Sequence, residues 1–288
     1  SSKIRSYRDL PLRLSEITDR IYRNELSGVL GGLLRVRQMT QDDAHIYCRP
    51  DQVEAEIQKV MNLIKEFYSN FDMALSFNLA TRPDKAMGDP KLWKEAEKDL
   101  EAVLKKSKVK YQIKEKDGTF YGPKIDINVT DSQKREWTIA TIQLDFQIPE
   151  RMGLDYIDEK GGRQRPVMIH RAILGTFERF IGILLEHYQG ALPFWLSPIQ
   201  VAVLPLGKKV VNYAQKVFSE LKSKNIRAEI DLRNETISKK IREAEIQKIP
   251  YLLVVGEKET KDNKVSVRER GKGDLGEKTL EEFLKLAR

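Results

Sequence analysis

The pattern of predicted secondary structure changes once along this chain, at the segment GALPFWLSP, which contains Pro193 and Pro198. After this segment, short apolar runs alternate with amphipathic stretches. Strands are predicted at 199–205, 226–232, 251–255 and 264–268, and helices at 208–223, 237–247 and 279–287. Such alternation is typical of a compact α/β module with a largely parallel sheet. The sequence therefore predicts two domains, residues 1–197 and residues 198–288.

The first domain contains two long stretches with the pattern of paired strands. GPKIDINV, at 122–129, and REWTIATIQLDF, at 135–146, alternate apolar with polar residues, as strands with one buried face do. In the second stretch we expect Thr138 on the same face as Ala140 and Ile142. Gln143 and Asp145 fall on the other face, where they would form the polar floor of a site.

Three helices are predicted in the first domain, because apolar residues recur there every three or four positions. The first covers 52–68, with Asp51 as its N-cap. The second begins at Pro90, with Asp89 as its N-cap. The third covers residues 172–188.

The charge of the chain favours a polyanionic partner. It carries 51 Lys and Arg residues against 43 Asp and Glu, a formal net charge of +8. This balance is typical of proteins that bind nucleic acid, although many basic proteins bind none. Cys48 is the single cysteine, so no internal disulfide is possible and a reducing compartment is expected. We expect no membrane span and no signal peptide.

The stretch RVRQMTQDDAHIYC, from Arg35 to Cys48, concentrates charged side chains on a short length of chain. Residues 33–39 alternate in the manner of a strand, and the strand pattern resumes at Ile46. Asp42 and Asp43 interrupt it, and they are equally compatible with an ordinary turn, in which Asp is common.

Phosphate binding by this chain would have to rely on arginine side chains, because neither a Walker loop nor a GxGxxG motif precedes a helix. The candidates are Arg23, Arg35, Arg37 and Arg179. The planar guanidinium binds phosphate oxygens in bidentate fashion and stays charged. Most arginines in so charged a protein are solvated surface residues, but Arg179 lies in an otherwise apolar helical stretch and must be paired or functional.

Two of the three histidines, His45 and His170, follow strand-like sequence. Imidazole is a common zinc ligand, so the two could bind a metal ion together. Two histidines far apart in sequence are more often hydrogen-bonded core residues, and both interpretations remain open on these residues alone.

Several motifs, taken in order, resemble those of the threonyl-tRNA synthetase family. RNELSGVLGGLLRVRQMTQDDAHIYC is similar to that family's form of class II motif 2, and HRAILGTFERFIGIL to motif 3 with its Glu-Arg ending. FYGPKIDI, TIQLDFQIPERM, PFWLSPIQV and DLRNETISKKIREAEIQKIPYLLVVGEKE also match, so the resemblance covers nearly the whole chain. The pattern TQDDAHI distinguishes this family from the related prolyl, histidyl and glycyl enzymes.

The resemblance implies an α+β catalytic domain with a six- or seven-stranded antiparallel sheet, followed by a smaller α/β anticodon-binding domain. It implies an aminoacyl-tRNA ligase of protein biosynthesis. Such an enzyme activates L-threonine with ATP and Mg²⁺ to threonyl-adenylate, and then transfers threonine to the 3′ end of tRNA(Thr), leaving AMP and diphosphate. It also implies a zinc ion, a homodimer in the full-length protein and a cytoplasmic location.

The resemblance assigns roles around ATP to five positions. Arg23 is similar to the arginine that bridges the ATP α-phosphate and the amino-acid carboxylate, and Glu25 to its neighbour on the adenine side. Arg35 and Arg179 resemble the arginines on the triphosphate. Arg23 and Arg179 are thus the expected catalytic residues. Thr138 stands near the nucleotide, where some members of the family have Gln.

Further positions match the family's contacts to threonine, zinc and the anticodon. The implied threonine-binding residues are Gln41, Asp43, Tyr121 and Gln143, with Asp43 on the side-chain hydroxyl. The implied zinc ligands are His45 and His170. The implied anticodon-binding residues are Asn234, Arg242, Glu259 and Arg268, and Arg268 is expected to be exposed at the end of its strand.

Some parts of the family pattern are expected to lie upstream of these 288 residues. One is the third zinc ligand, which is a cysteine in a CP stretch before RSYRDLP. The others are motif 1, which builds the dimer interface, and the editing and accessory domains. Cys48 is no substitute for that cysteine, because it follows His45 by three residues at a different motif position. The resemblance therefore implies that the start of the catalytic domain is missing.

Two other functions fit the composition. A non-catalytic RNA-binding or regulatory module derived from a synthetase would share the basic charge and the second domain. Such a module would have no need to keep Arg23, Arg179, His45 and His170 together. A paralogue specific for another amino acid is disfavoured by the pattern TQDDAH.

Overall fold

A computed structural model of the chain describes residues 3–15, 30–131 and 133–287. The chain forms two compact units, Ser1–Ile183 and Leu184–Arg288. In the described part of the first unit the strands are β1 (Arg5–Ser6), β2 (Leu12–Ser15), β3 (Ala44–Cys48), β4 (Leu75–Ala80), β5 (Tyr111–Lys114), β6 (Lys124–Thr130), β7 (Glu136–Asp145), β8 (Tyr156–Ile157), β9 (Arg163–Gln164) and β10 (Val167–Ala172). The helices are α1 (Val53–Ser69), α2 (Pro90–Lys106), α3 (Gln147–Arg151) and α4 (Phe177–His187), and the division between the units falls within α4.

Seven of these strands form one sheet, in the order β2-β3-β10-β7-β6-β4-β5. All neighbours in it are antiparallel except β4 and β5, which run parallel. The strands β1, β8 and β9 form a small separate sheet. The six- or seven-stranded antiparallel sheet implied by the resemblance is confirmed.

Helix α2 forms where its cap and its apolar spacing predict it. The Asp89 carboxylate accepts a hydrogen bond from the Lys91 N–H, and Pro90 occupies the first turn, where its missing N–H costs nothing. The residues that recur at helical spacing are buried, Trp93, Ala96, Leu100, Val103 and Leu104. Burial of this stripe anchors the helix on the sheet.

Helix α1 is also confirmed, but the prediction that Asp51 caps it is wrong. Residues Pro50–Gln52 form a 3-10 turn ahead of the helix, and Gln52 is the residue that precedes α1. The Asp51 carboxylate instead accepts two hydrogen bonds from the Arg49 guanidinium, at 2.9 and 2.7 Å. A charged partner two residues away competes successfully with the helix N-terminus for this side chain.

Helix α4 begins five residues later than predicted from residue 172. Ala172 is the last residue of β10 and pairs with Thr141 of β7. Gly175 then turns the chain with a φ of 69°, a conformation that glycine adopts without steric cost. The apolar spacing of residues 172–188 therefore spans a strand end, a turn and a helix.

The predicted strand at 33–39 is wrong. Residues Gly32–Leu34 form a 3-10 turn, in which the Leu34 and Arg35 N–H groups both donate to the Gly31 carbonyl, at 3.0 and 3.3 Å. Gly32 has a φ of 52°. The backbone of this segment is thus hydrogen-bonded within one tight turn, which the Gly-Gly pair permits and which side-chain alternation does not reveal.

The second unit contains one five-stranded sheet in its described residues, in the order β12-β11-β13-β14-β15. Its elements are β11 (Val201–Pro205), α5 (Val211–Ser223), β12 (Ala228–Ile230), α6 (Ile237–Ile246), β13 (Tyr251–Val255), α7 (Glu257–Asp262), β14 (Lys264–Glu269), β15 (Gly273–Thr279) and α8 (Leu280–Leu286). Side chains of α5 and α8 pack on one face of the sheet, and side chains of α6 pack on the other.

The expectation of a largely parallel sheet is only half right. β11 runs parallel to β12 and β13, whereas β14 is antiparallel to β13 and β15. β15 is the strand that the sequence does not predict, because GDLGEKT combines two glycines with three charged residues. Among the described residues of both units, no helix is both long and apolar enough to cross a membrane.

Candidate functional site

A row of polar side chains crosses the middle of the seven-stranded sheet. His45 of β3 lies opposite His170 of β10, His170 lies opposite Gln143 of β7, and Gln143 lies opposite Lys124 of β6. Directly opposed residues point to the same face of a sheet, so these four side chains share one surface. The rings of His45 and His170 meet edge to face, with centroids 4.7 Å apart.

Asp145 orients His170, a role that the sequence did not indicate beyond placing Asp145 on the polar floor of a site. Its buried carboxylate is 2.8 Å from His170 Nε2 and also accepts hydrogen bonds from the N–H groups of Gln147 and Ile148, at 2.8 and 3.0 Å. A carboxylate beside one ring nitrogen fixes the tautomer and leaves the other nitrogen for a ligand. The signal for it was its place on the polar face predicted for this strand.

The two histidines fit two positions of a metal site. Burial, and then the charge of His170, lower the pKa of His45, which favours the neutral imidazole that a metal requires. Cys48 lies three residues further along β3, hence on the opposite face, and is fully buried. Within the described ranges, no group of three or more His, Cys, Asp or Glu side chains could hold a metal ion.

Tyr121 closes one side of this row. Its hydroxyl donates a hydrogen bond to Gln143 Oε1, and its ring centroid lies 5.2 Å from that of His170. The adjacent Gly122 is required by close packing, since a Cβ there would come within 1.7 Å of the Leu144 carbonyl oxygen. Tyr121 and Gln143, predicted separately, are therefore brought together.

Gln41 and Asp43 lie on the segment that leads into β3. Gln41 pairs with Thr176 as an isolated bridge. Asp43 accepts no hydrogen bond from any residue that the structure describes. Burial raises the pKa of Tyr121, and the negative charge of Asp43 adds to that rise, whereas for His45 the same charge opposes the lowering of the pKa by burial. Asp43 is therefore an available acceptor beside the row, whereas its neighbour Asp42 is fully engaged with backbone groups.

Arg35 and Arg179 share one electropositive region. Burial, and then the charge of Arg35, lower the pKa of Arg179. Arg179 Nε donates to the Leu34 carbonyl at 3.0 Å, and its guanidinium lies 5.8 Å from the centroid of the Trp137 ring. Among described residues Arg179 forms no ion pair with a carboxylate. Two nearby guanidiniums that repel each other are suited to bind a polyanion.

Thr138 lies on the site face of the sheet, contrary to the predicted alternation. A register shift between Ile127 and Asn128 leaves Ile139 as an extra residue in β7, so that Thr138 lies opposite Asn128. Such a bulge reverses the faces beyond it. It moves Thr138 away from the face of Ala140 and Ile142 to the face that carries Lys124 and Gln143.

Arg23 and Glu25, which were predicted to bind ATP, lie outside the described residues.

In the second unit, Asn234 and Arg242 are both exposed. Asn234 lies in the turn between β12 and α6, and Arg242 lies on α6. Lys240 fixes this turn, because its buried ammonium donates to the carbonyl oxygens of Asp231 and Pro205, at 2.8 and 3.3 Å. The structure thus places two of the four predicted anticodon residues on one solvent-facing segment.

The other two predicted anticodon residues are less available. The Glu259 carboxylate accepts a hydrogen bond from the Gly256 N–H at 2.9 Å and so caps α7. The expectation that Arg268 is exposed is wrong: its side chain is 30% exposed, within 3.9 Å of both Glu245 and Asp274. Its position opposite Leu252 within the sheet covers its stem, while the flanking carboxylates hold its head.

Comparison with known protein families covers both units. Residues 1–188 match the model of the tRNA synthetase class II core domain (G, H, P, S and T). The chain belongs to the class II tRNA synthetases. Residues 200–288 match the model of an anticodon binding domain.

Two individual relatives of the chain are threonine–tRNA ligases. Threonine–tRNA ligases from Carboxydothermus hydrogenoformans and Syntrophomonas wolfei are each 52% identical to it, over 98% and 97% of this chain. The chain spans 44% of the length of these two relatives.

Solved structures give the same comparison at the level of the fold. The RNA binding domain of threonyl-tRNA synthetase from Cryptosporidium parvum matches with a TM-score of 0.91 and 42% identity, over 98% of this chain and 71% of that one. A putative threonyl-tRNA synthetase from Aeropyrum pernix matches with a TM-score of 0.77 and 28% identity, over 93% of this chain and 64% of that one.

Proposed function

We propose that this chain is the catalytic core and anticodon-binding part of a threonine–tRNA ligase. The protein would activate L-threonine with ATP to threonyl-adenylate and transfer threonine to the 3′ end of tRNA(Thr). The observation that carries the proposal is the row His45–His170–Gln143, closed by Tyr121, with the available carboxylate of Asp43 beside it. This row provides hydrogen-bond donors and acceptors for the polar groups of one small hydroxylated amino acid.

Arg35 and Arg179 supply the electrostatic part of the reaction. A threonine carboxylate oxygen would attack the α-phosphorus of Mg²⁺-bound ATP and form the acyl-phosphate bond of the adenylate. The bond from the α-phosphorus to the oxygen that bridges it to the β-phosphorus would break, and diphosphate would leave with that oxygen. Negative charge grows on the α-phosphate oxygens as the transition state forms. Guanidiniums that are fixed before the reaction stabilise this charge without reorganising. Arg179 is fixed in this way by the Leu34 carbonyl and the Trp137 ring, and Arg23 and Glu25 would complete the nucleotide site.

His45 and His170 would hold a zinc ion, with a cysteine outside these 288 residues as the third protein ligand. When bound, zinc supplies a Lewis acid to which the amino and hydroxyl groups of threonine can bind. This chain's own residues prepare the site. Asp145 orients His170, burial favours the neutral form of His45, and Asp43 can accept the hydrogen bond of the threonine hydroxyl.

The second unit would bind the anticodon through the exposed Asn234 and Arg242, and Glu259 and Arg268 would contribute further contacts. tRNA(Thr) as the partner agrees with the net charge of +8. A homodimer in the full-length protein and a cytoplasmic location are part of the same proposal.

Charging of a tRNA(Thr) transcript tests the proposal, with the longest form of the protein that contains this chain. Incubation with ATP, Mg²⁺ and threonine should yield threonyl-tRNA, and a transcript with an altered anticodon should be charged poorly. Binding of the transcript without any charging would favour the non-catalytic RNA-binding module instead.

A further inference from the structure

Asp42 joins the segment before β3 to the turn after β10. Its carboxylate accepts hydrogen bonds from the N–H of Ile173, at 2.9 and 3.1 Å, and of Leu174, at 3.2 Å. Its carbonyl accepts from the Arg171 guanidinium at 3.0 Å, and its N–H donates to the Gly175 carbonyl at 3.3 Å. Every polar group of Asp42 is thus used to hold one turn, which a solvated turn residue would not require.

The connection continues into α4. The Phe177 N–H donates to the Thr40 carbonyl at 3.0 Å, and the Thr40 N–H donates to both carboxylate oxygens of Glu178, each at 3.2 Å. Glu178 therefore binds the segment before β3 rather than its neighbour Arg179. We call the two connected segments, residues 40–42 and 173–178, the clasp.

The clasp lies between the two halves of the proposed active site. Asp43 directly follows its first segment and His45 lies two residues further on, and Arg179 directly follows its second segment. The Arg179 N–H donates to the Thr176 hydroxyl at 3.2 Å, so the position of this arginine depends on the second segment. The buried Tyr68 hydroxyl donates to the Ile173 carbonyl at 2.8 Å and fixes the clasp to α1.

We infer that Asp42 and Glu178 are positioning residues that hold the threonine-recognition segment and the phosphate-binding arginine in one fixed geometry. This inference rests on the proposed function. Neither carboxylate needs to touch a substrate for this role. Because catalysis depends on reactive groups being held within about 1 Å, loosening the clasp should impair both substrates together, by on the order of 10²-fold.

The test compares Asp42→Asn and Asp42→Ala in ATP–pyrophosphate exchange. Asn keeps one acceptor oxygen and Ala keeps none, so kcat/KM for threonine and for ATP should both fall, further for Ala than for Asn. Glu178→Gln, at the other end of the clasp, should also lower kcat/KM for both substrates. If the Asp42 variants do not fold, Glu178→Gln alone serves as the test. Glu54→Gln is the control, since it makes the same chemical change in an exposed ion pair with Lys106.

A double-variant cycle separates positioning from loss of stability. If Asp42 acts on ATP through Arg179, adding Asp42→Asn to Arg179→Ala should lower kcat/KM for ATP less than about threefold further, because residues that act as a unit are not additive. The inference would be overturned if the two substitutions had multiplicative effects on kcat/KM for ATP. It would also be overturned if Asp42→Asn impaired only one substrate, or left the kinetics unchanged.

Amide hydrogen exchange keeps the inference distinct from the proposed function. In Asp42→Asn the N–H groups of Ile173, Leu174 and Phe177 should lose protection, whichever amino acid the protein activates. Unchanged protection overturns the clasp. If the wild type activates another amino acid, or none, the proposed function is overturned. The hydrogen-exchange measurement then still tests whether Asp42 holds the clasp together.

Discussion

Asp131 is the described carboxylate whose contribution to stability follows most directly from the structure. Its side chain, 1% exposed, accepts hydrogen bonds from the Trp137 indole at 2.7 Å, from the Gln133 N–H at 2.9 Å, and from the Arg135 N–H and Nε at 2.8 and 2.6 Å. Burial alone raises the pKa of this carboxyl. The hydrogen bonds outweigh burial, that of Trp137 first, and lower the pKa from 3.8 to about 2.

The expected stability effect of Asp131→Asn follows from this lowered pKa. One pH unit corresponds to about 1.4 kcal/mol, so the ionised carboxylate contributes about 2 kcal/mol to the free energy of unfolding at pH 7. Because the pKa is lower in the folded state, this contribution is complete above the unfolded value and is lost as the pH falls through the folded value. The difference between wild type and variant should therefore shrink to about 1 kcal/mol at pH 3.

Urea denaturation followed by tryptophan fluorescence measures this difference. Trp195→Phe in both proteins restricts the signal to Trp93 and Trp137, which lie in the first unit. Equal differences at pH 7 and pH 3, or no difference at pH 7, would refute the reasoning.

The same variant should also affect ATP binding. Because the Trp137 ring that Asp131 holds lies 5.8 Å from the Arg179 guanidinium, loosening it should raise the KM for ATP by a factor of about five. Asp158→Asn is the control, since Asp158 also caps a turn through the N–H groups of Lys160 and Gly162. An equal rise in KM in that control would show that the effect is not specific to the Trp137 contact.

Three further predictions concern the chemistry. Arg179→Ala, and Arg23→Ala on the sequence evidence, should each lower adenylate formation by about two to three orders of magnitude, and exchange rates within a few-fold of wild type would contradict this. Arg268→Ala should weaken tRNA binding without changing threonine activation, and tRNA affinity should fall with rising salt. A parallel loss of activation would count against separate roles for the units. If His45 and His170 bind zinc, valine should be strongly excluded and serine rejected only by roughly 10- to 200-fold. His45→Ala or chelation should abolish the exclusion of valine, and unchanged exclusion would argue against a zinc-based sieve.

The sequence predicts elements well where local periodicity and tertiary packing agree. The strands β6 and β7 and the helix α2 form as expected, because their apolar residues face the core that the fold provides. The bulge that places Thr138 on the site face depends on pairing with β6, so alternation within one strand does not show it.

Two kinds of feature are not visible in the sequence pattern. One is a local turn that replaces a strand, and the other is a contact with residues distant in sequence. The Gly31–Arg35 turn replaces an expected strand, and Asp42, compatible with an ordinary turn, binds backbone groups about 130 residues away. Asp145 was predicted to lie on the polar face, but its contact with His170 depends on the pairing of β7 with β10. The supporting contacts of the predicted site residues therefore depend on strand pairing and turns that residue types alone do not show.

ATP–pyrophosphate exchange with each of the twenty amino acids in turn tests the central claim most directly. The protein should incorporate labelled pyrophosphate into ATP with threonine, weakly with serine, and at background level with valine and the others. Strong exchange with a different amino acid, or no exchange with any in the longest form of the protein that contains this chain, would contradict the assignment of His45, His170, Gln143 and Tyr121 to threonine recognition.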